Sequence, residues 1–585
     1  MKRKLIMALA TLGLAACQAD APPAEIAADE IAATESSPAD AMNDIADRYY
    51  AWTLERRPEQ AYFAAIDLDR HDGLFDNSPE AMLAAQAAED SFLAEVSAID
   101  AAQLVGKPEW IARALLEQRL RSNVAQRICR EDLWNISQMG GWHSGYAQVA
   151  MLQPVDTAEQ REQSLTRWSK FPAFVDQEVA NLKAGVEQGY TVPKTVAGRV
   201  IAQLDGLLAL ATEESPFYSP AARADDDEFA MAVAELVETG IQPALQRARD
   251  YLQDEYLPVA RDALSITAIP NGAECYEAML RGYTTLDRSG KEVYELGQQA
   301  VAANSADVIE LGRAAYETSD FSEILERAKN DPADKFESAE ELLQFSKDMV
   351  ERAAIEMPKW VGTMPEQAVE VVPFEKHEEG TGRSAHYNPG NAERPAEYRI
   401  PLATPEKEGR GNAEATAFHE AWPGHHLQVA TFQAIEGVHP VTSLIWFSGP
   451  GEGWARYSEA LSEEMGLYQS TSGPILRRAW PARGMVVDPG IHLFGWTREQ
   501  ASEYMLKAGR FPNADEMVDR IAILPGQLTA YDSGGLEILA LRRQAEEALG
   551  DDFDIREFHD RVLENGTIPL GNLRQHIEAW IESKL

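Results

Sequence analysis

Apolar residues recur every three or four positions along most of the chain. This spacing is typical of amphipathic helices, and the residues that dominate these segments, Ala, Leu, Glu and Arg, are good helix formers. Proline and glycine separate the segments, as at Pro270 and Gly526. The pattern predicts a mainly α fold, with helices over residues 80–96, 110–127, 157–187, 194–213, 226–253, 291–318, 339–356, 413–432, 452–466, 498–508 and 535–549.

Residues 366–404 depart from the helical pattern. QAVEVVPFEKH alternates and is rich in β-branched residues, and SAHYNPG and AEYRIPLA read as two short strands around a turn of Gly, Pro and Asn. The sequence therefore predicts a small sheet just before the helix at 413–432. Its edge can bind an extended peptide by strand addition, or its strands can simply pack against the helices.

The first seventeen residues have the pattern of an export signal. A basic start, MKRK, precedes the apolar run LIMALATLGLA, which is too short to span a membrane. Leu14-Ala15-Ala16-Cys17 resembles a bacterial lipobox, which implies cleavage before Cys17 and lipidation of that residue. The alternative is ordinary cleavage with release into the periplasm. Because residue 19 is Ala and not the aspartate associated with inner-membrane retention, we expect an outer-membrane anchor facing the periplasm of a Gram-negative cell.

Three further segments follow the signal. Residues 18–43 are rich in Ala, Pro, Glu, Asp and Ser and contain no aromatic residue, so they cannot bury enough apolar surface to offset the entropy of ordering. We predict a disordered tether there. The rest divides into an N-terminal helical half, 44–365, and a half that carries the candidate chemistry, 366–585, expected to form one intertwined body.

Composition narrows the function further. The chain has 585 residues and a formal net charge of −42, so its general electrostatic field does not favour binding to nucleic acid. Cys129 and Cys275 are the cysteines besides Cys17, and in an exported protein they can form one disulfide. The alternative is two separate buried thiols. Neither lies in a CxxC pattern, so we assign them no catalytic role.

The strongest chemical signal is the stretch AEATAFHEAWPGHHLQ, residues 413–428. Only 11 histidines occur in the chain, yet His419, His425 and His426 fall within eight positions, and Glu420 follows the first of them. In an H-E-x-x-H helix, two histidines four residues apart bind one zinc ion, with the glutamate beside the bound water. Here the fourth position after His419 is Pro423, which cannot bind a metal.

A straight helix cannot bring these histidines together. His425 would point about 240° away from His419, and His426 would lie about 10.5 Å along the axis. Pro423, however, removes a helical hydrogen bond and clashes with the carbonyl of His419, and Gly424 relaxes the backbone. We therefore predict a bend that returns a later histidine to His419; His425 is favoured as the second ligand, and His426 is the alternative.

A carboxylate from a second helix is expected to complete the site. Gly449-Pro450-Gly451 breaks the chain before GEGWARYSEALSEE, which resembles the glutamate helix of zinc aminopeptidases. Glu452 is the predicted third ligand. Glu459, two turns later on the same face, can orient a histidine ligand. The alternative for Glu452 is an ion pair with Arg456, four residues on.

These residues predict a metal-assisted hydrolase. Zinc lowers the pKa of a bound water and polarises a substrate carbonyl, and Glu420 is the predicted general base. The candidates for a second donor to the oxyanion lie beside Gly or Pro in loop-like segments; they are His492, Tyr531 and Tyr387. Asp488 can orient His492, although a turn at Asp488-Pro489 explains this aspartate equally well. Two arginines can bind a peptide carboxylate or form surface salt bridges; they are Arg394 and Arg520.

Several blocks together resemble one bacterial family, the domain of unknown function 885. They are HEAWPGHHLQ, EGWARYSE, VVDPGIHLFGWTREQA, PGQLTAY and DIREFHDRVLENGTIPL, with YTTLDRSGKEVYELG further upstream. The resemblance runs from about Tyr49 to the C-terminus. It implies an exported, mostly helical, zinc-metallopeptidase-like protein with a substrate channel between two helical halves. Family members usually follow the PGQxxxY tyrosine with a basic residue and one glycine, whereas here Tyr531 precedes Asp532-Ser533-Gly534-Gly535, which puts recognition of the substrate end in doubt.

The leading hypothesis is therefore a lipid-anchored zinc peptidase that acts on small peptides. A second hypothesis is a metal-dependent hydrolase of another amide or ester. A third is a non-catalytic binding lipoprotein that has lost zinc. The presence of Glu420 argues against the third, because a purely structural metal site does not need a base beside the ligand.

Overall fold

The computed structural model describes residues 37–375, 384–391, 394–509 and 514–585. The part of the chain before the sheet contains helices α1 (Pro38–Arg56), α2 (Glu59–Phe63), α3 (Pro79–Ala98), α4 (Pro108–Gln126), α5 (Trp142–Leu152), α6 (Ala158–Gln188), α7 (Lys194–Leu208), α8 (Ser219–Arg223), α9 (Asp227–Leu236), α10 (Gln242–Tyr251), α11 (Leu257–Val259), α12 (Gly272–Thr284), α13 (Gly290–Tyr316), α14 (Phe321–Asn330) and α15 (Ala339–Glu356). The part after it contains α16 (Arg410–Glu420), α17 (His425–Gln433), α18 (Ser448–Glu464), α19 (Gly473–Ala479), α20 (Gly484–His492), α21 (Arg498–Leu506), α22 (Asp515–Ile523), α23 (Ala530–Leu549), α24 (Ile555–Leu563) and α25 (Leu570–Lys584).

The mainly helical prediction is confirmed. Most predicted segments match one helix to within a few residues. The segment at 226–253 is longer than predicted, because π-helical turns at Val237–Ile241 and Leu252–Tyr256 join α9, α10 and α11 into one run. The segment at 413–432 is two helices, α16 and α17, as the expected bend requires.

The tether prediction is wrong at its C-terminal end. Residues 38–43 form the first turns of α1, where Met42 is fully buried. Met42, together with Ile45 just beyond this segment, packs in the largest apolar cluster. The predicted signal, 1–17, and the rest of the tether, up to residue 36, lie outside the described residues.

The predicted small sheet is present. It consists of β1 (Val369–Pro373), β2 (His386–Asn388) and β3 (Ala396–Ile400), in the order β1-β3-β2. β1 pairs with β3 in parallel, with Val371 opposite Tyr398, and β2 pairs with β3 antiparallel, with Tyr387 opposite Tyr398. β2 is therefore an edge strand. Strand addition by a peptide remains a prediction.

Residues 38–585 form one compact unit. Its largest apolar cluster runs from Met42 in α1 to Ile581 in α25 and so crosses the predicted boundary at 365/366. A second cluster contains Cys129 and Cys275, which form a disulfide. In the described part of the chain, no helix combines the length and apolar character that crossing a bilayer requires.

Candidate functional site

The backbone turns sharply between α16 and α17. α16 ends at Glu420 and α17 begins at His425, and the Trp422–Pro423 peptide bond between them is cis. Gly424 fits tightly against the end of α16, because a Cβ there would lie 1.9 Å from the carbonyl oxygen of His419. The indole of Trp454 donates to the carbonyls of Pro423 (2.9 Å) and Gly424 (3.2 Å), which satisfies backbone groups that the bend exposes.

The bend brings His425, not His426, beside His419. Ligand atoms of His419, His425 and Glu452 all lie within 4.8 Å of one another. Nε2 of each of the two histidines is 3.4 Å from Oε2 of Glu452. His426 is fully buried elsewhere, with Nδ1 3.2 Å from the hydroxyl of Tyr387 and Nε2 3.0 Å from the carbonyl of Gln367. Both of its ring nitrogens are therefore in use.

Close packing of two helices positions Glu452. α18, which carries it, lies against α23 with glycine facing glycine: a Cβ on Gly453 would lie 2.6 Å from Cα of Gly534, and one on Gly534 would lie 2.0 Å from the carbonyl oxygen of Gly449. Larger residues would separate the two helices. Gly534 therefore allows α18 to pack closely against α23.

Glu459 holds the far side of His419. Its Oε1 lies 2.9 Å from Nδ1 of His419, which leaves Nε2 directed at Glu452. Arg456 donates to both carboxylate oxygens of Glu459 at 2.8 Å, and its Nε lies 3.2 Å from Asp532. Arg456 thus belongs to this network, and the alternative pairing with Glu452 is not formed.

The imidazoles of His419 and His425 have more carboxylates than positively charged groups around them. Burial opposes protonation of His419, but hydrogen bonds to Glu452 and Glu459 raise its pKa to about 10. Burial also disfavours the charged form of Glu452, yet hydrogen bonds to His419 and His425 lower its pKa. Both shifts show that this cluster stabilises a positive charge between its ligand atoms.

Glu420 lies beside this cluster. Its Oε2 accepts a hydrogen bond of 2.9 Å from the backbone amide of Tyr387 in β2. Burial raises the pKa of the Glu420 carboxyl, and nearby His419 and His425 oppose that rise. The hydrogen bond from β2 therefore fixes one carboxylate oxygen of Glu420, the predicted general base.

An open cavity of about 920 Å³ contains the cluster. Its walls come from the β2 edge and from α16, α17, α18, α19, α22 and α23. The residues that the sequence singled out and that line it are His419, Glu420, His425, Glu452, Glu459, Tyr387, Arg520 and Tyr531. The predicted channel between two helical halves remains a prediction.

Tyr531 and Arg520 form a pair in this cavity. Nη2 of Arg520 lies 3.4 Å from the Tyr531 hydroxyl and 2.7 Å from Oε1 of Gln527. Burial raises the pKa of Tyr531, and the charge of Glu452 adds to the rise, which places this tyrosine close to the cluster. Arg394 is exposed and does not line the cavity.

The prediction for His492 is corrected by the structure. His492 is 1% exposed and does not line the cavity. The amide of Ile266 donates to Nδ1 (3.1 Å), so Nε2 carries the proton and donates to the carbonyl of Ile521 (3.0 Å). Burial lowers its pKa to about 3, which makes it a neutral core residue that joins two backbone segments.

Asp488 does not orient His492 either. Its carboxylate accepts hydrogen bonds from the Tyr276 hydroxyl (2.8 Å) and from the Gly526 amide (3.0 Å). The Asp-Pro pair at 488–489 had the sequence pattern of a turn, but it lies inside α20, and the helix directs Asp488 to the Pro525-Gly526 turn.

Among the cavity residues to which the sequence prediction gave no role, two lie near the cluster. Trp446 is 45% exposed, and its ring centroid lies 6.4 Å from that of His425. Asp532 completes the network through Arg456. A signal existed for Asp532, since it directly follows the candidate Tyr531, but no local pattern distinguishes Trp446 from a core tryptophan.

Comparisons with known proteins agree with the fold. The chain is similar to the crystal structure of the "putative lipoprotein" from Colwellia psychrerythraea, with a TM-score of 0.84 and 22% identity over 94% of this chain and 100% of the other. It is also similar to a "putative lipoprotein of unknown function" from Shewanella oneidensis, with a TM-score of 0.76 and 18% identity over 92% of this chain and 99% of the other. No curated protein matches the chain. The profile of one family matches residues 58–577, and the chain therefore belongs to the family described as bacterial protein of unknown function (DUF885).

Proposed function

We propose that this protein is a zinc-dependent hydrolase of short peptides, with His419, His425 and Glu452 as the metal ligands. The observation that supports this most directly is the spacing of the ligand atoms. Two ligands about 2.1 Å from a tetrahedral zinc lie about 3.4 Å apart, and each histidine Nε2 is 3.4 Å from Oε2 of Glu452. Two imidazoles with one carboxylate are a donor set typical of catalytic zinc.

A zinc ion at this position would polarise a substrate carbonyl and make a water molecule a better nucleophile near neutral pH. Glu420 would take the proton of that water and return it to the leaving amine. The Tyr387 amide donates to Oε2 of Glu420. We therefore assign proton transfer to the other oxygen, Oε1. Hydrolysis then consumes one water and yields one carboxylate and one amine.

Glu420→Gln tests this proposal. The variant should retain zinc, because Glu420 is not among the proposed ligands, and it should lose peptide cleavage by about 10²- to 10⁴-fold, the usual contribution of a general base. Zinc is measured by elemental analysis of the purified protein, and cleavage with a library of short peptides and matched esters. Equal cleavage by both proteins would exclude Glu420 from the reaction.

His425→Ala and His426→Ala form a matched pair for the ligand assignment. The first should lose zinc, and the second should retain it, because both ring nitrogens of His426 bond to protein groups. A wild type that binds no zinc and cleaves nothing would favour the non-catalytic binding lipoprotein.

For localisation, we propose a lipid anchor at Cys17 that holds the protein at the outer membrane, facing the periplasm. The lipobox-like Leu14-Ala15-Ala16-Cys17 supports this, and the similar structures carry the description of lipoproteins. Labelling of cells with an alkyne fatty acid should modify the wild type, but not Cys17→Ala. Label that persists in the variant would contradict the anchor.

A further inference from the structure

Three arginines line the cavity among the residues that the structure describes: Arg456, Arg477 and Arg520. Arg456 pairs with Glu459 and Asp532, and Arg477 pairs with Glu463. Arg520 differs, since no carboxylate of the described chain forms a salt bridge with it.

Neutral groups hold Arg520 instead. Its Nη2 donates to Oε1 of Gln527 and to the Tyr531 hydroxyl. Its Nε is buried and has no hydrogen-bond partner among the described residues. Because Arg520 lines the cavity and no carboxylate of the described chain pairs with it, its guanidinium is suited to binding a substrate carboxylate. In a chain with a net charge of −42, an arginine that has no acidic partner among the described residues is unexpected.

The surroundings of Arg520 strengthen such a contact. Met517 lies one turn before it on α22, and Leu528 follows the Gln527 that holds it; both line the cavity. Apolar neighbours reduce solvent screening, so an ion pair there is stronger than one at the open surface. Tyr531 joins this arginine to the metal cluster, because it contacts Arg520 and experiences the charge of Glu452.

We infer that Arg520 binds the C-terminal carboxylate of the substrate, so that the enzyme removes a short segment from the C-terminal end of a peptide. This inference rests on the proposed function and adds the substrate class: short peptides with a free α-carboxylate and an apolar last residue. Gln527 and Tyr531 are the positioning residues that orient the guanidinium.

The test compares one short peptide ending in leucine as its free acid and as its C-terminal amide. Wild type should cleave the acid with a kcat/KM about 10- to 100-fold above that of the amide, the size expected for one charge-assisted contact. Arg520→Gln should lose this preference by losing activity on the acid alone, and Arg520→Lys should recover part of it. Arg477→Gln, a change to a paired arginine of the same cavity, should keep the preference.

The ratio of acid to amide is read within each variant, so a general loss of activity or folding cancels. A wild type that contains zinc and cleaves both peptides equally would overturn the carboxylate site and leave the proposed function intact. A wild type that cleaves neither this peptide nor any member of the peptide library would overturn the proposed function, and peptide binding measured by calorimetry would then decide the inference. If the wild type binds the acid more tightly than the amide and Arg520→Gln abolishes this difference, the carboxylate site is supported. Equal binding of acid and amide by the wild type would refute it.

Discussion

Individual side chains here act in hydrogen-bonded pairs whose members are far apart in the sequence. His419 depends on Glu459, 40 residues later, for the orientation of its ring. Such a carboxylate fixes the tautomer of a metal-binding histidine and raises its basicity. Hydrogen bonds to backbone carbonyls fix the rings of two buried histidines outside the cluster in the same way; they are His492 and His559.

Replacement of Glu459 tests the orienting contact. Glu459→Gln should weaken zinc binding by about 10- to 100-fold, because the neutral amide no longer raises the basicity of His419. Affinity is measured by competition with a chromogenic chelator. Glu463→Gln is the control, since Glu463 lies one turn further along α18 and pairs with Arg477 and Arg478. Equal zinc affinity in wild type and Glu459→Gln would remove this residue from the site.

His559 should make the protein sensitive to acid. Burial lowers its pKa to about 4, and its nitrogens bond to the Trp360 carbonyl and the Tyr457 hydroxyl. The unfolded histidine titrates near pH 6.5, so the unfolded state binds more protons between these values. The stability contributed by neutral His559 is present above pH 6.5 and is lost as the pH falls towards 4.

The measurement is the free energy of unfolding against pH for wild type and His559→Gln. In the variant, the slope between pH 4 and 6.5 should be smaller by up to about 1.4 kcal/mol per pH unit, the value for one proton. An identical slope would show that this histidine is not the titrating group.

At the scale of elements, glycine decides how closely the site helices approach. The α16–α17 bend places Gly424 against the carbonyl of His419, and α18 approaches α23 through Gly453 and Gly534. No cavity remains at these contacts for a methyl group. The positions of two proposed ligands, on α17 and α18, therefore depend on the absence of side chains.

Gly424→Ala tests the bend. A methyl at this position would lie 1.9 Å from the carbonyl oxygen of His419, so the ends of α16 and α17 must shift to accommodate it. The new methyl should destabilise the protein by about 1–3 kcal/mol and displace His425, with loss of zinc. Gly206→Ala on α7 is the control, because nothing lies within 4 Å of its Cβ position, and alanine there should stabilise by about 0.5–1 kcal/mol. Thermal unfolding and zinc content together give the result, and a variant equal to wild type in both would contradict this role of Gly424.

At the scale of the whole molecule, one apolar cluster joins α1 to α25 across the predicted halves. The disulfide adds a second long-range link. Cys129 and Cys275 are separated by 146 residues and are both fully buried, and the bridge joins the end of the α4 region to α12. A covalent link across so long a segment restricts the unfolded chain strongly.

Reduction of the disulfide should lower stability by about 2–5 kcal/mol. The comparison is denaturant unfolding of wild type with and without a reductant, because only the oxidised protein carries the constraint. The double variant Cys129→Ala, Cys275→Ala is the control and should show no effect of the reductant. A wild type that unfolds identically under both conditions would show that the bridge does not form or does not contribute.

Local patterns predicted the elements well. Most of the segments predicted from the helical periodicity match one helix to within a few residues, and the alternation at 366–404 predicted the strands. Other helices, such as α1, α12 and α25, were not among the predicted segments. Met42, however, becomes part of the core only through contacts made by the folded chain, so residues 38–43 were taken for tether. The candidate ligands were identified from the sequence because HEAWPGHH and EGWARYSE carry them within short blocks, and the structure brings His419, His425 and Glu452 together.

The sequence by itself determined the chemistry that is available: His419, Glu420, His425 and His426 around a Pro-Gly break, and Glu452 on a later segment. Only the tertiary structure decided which groups meet. It placed His425 beside His419, put His426 and His492 in buried hydrogen bonds, and left Arg520 without an acidic partner in the described part of the chain. The reason is physical: periodicity and spacing act over a few residues, whereas each of these outcomes depends on contacts between segments that are distant in the chain.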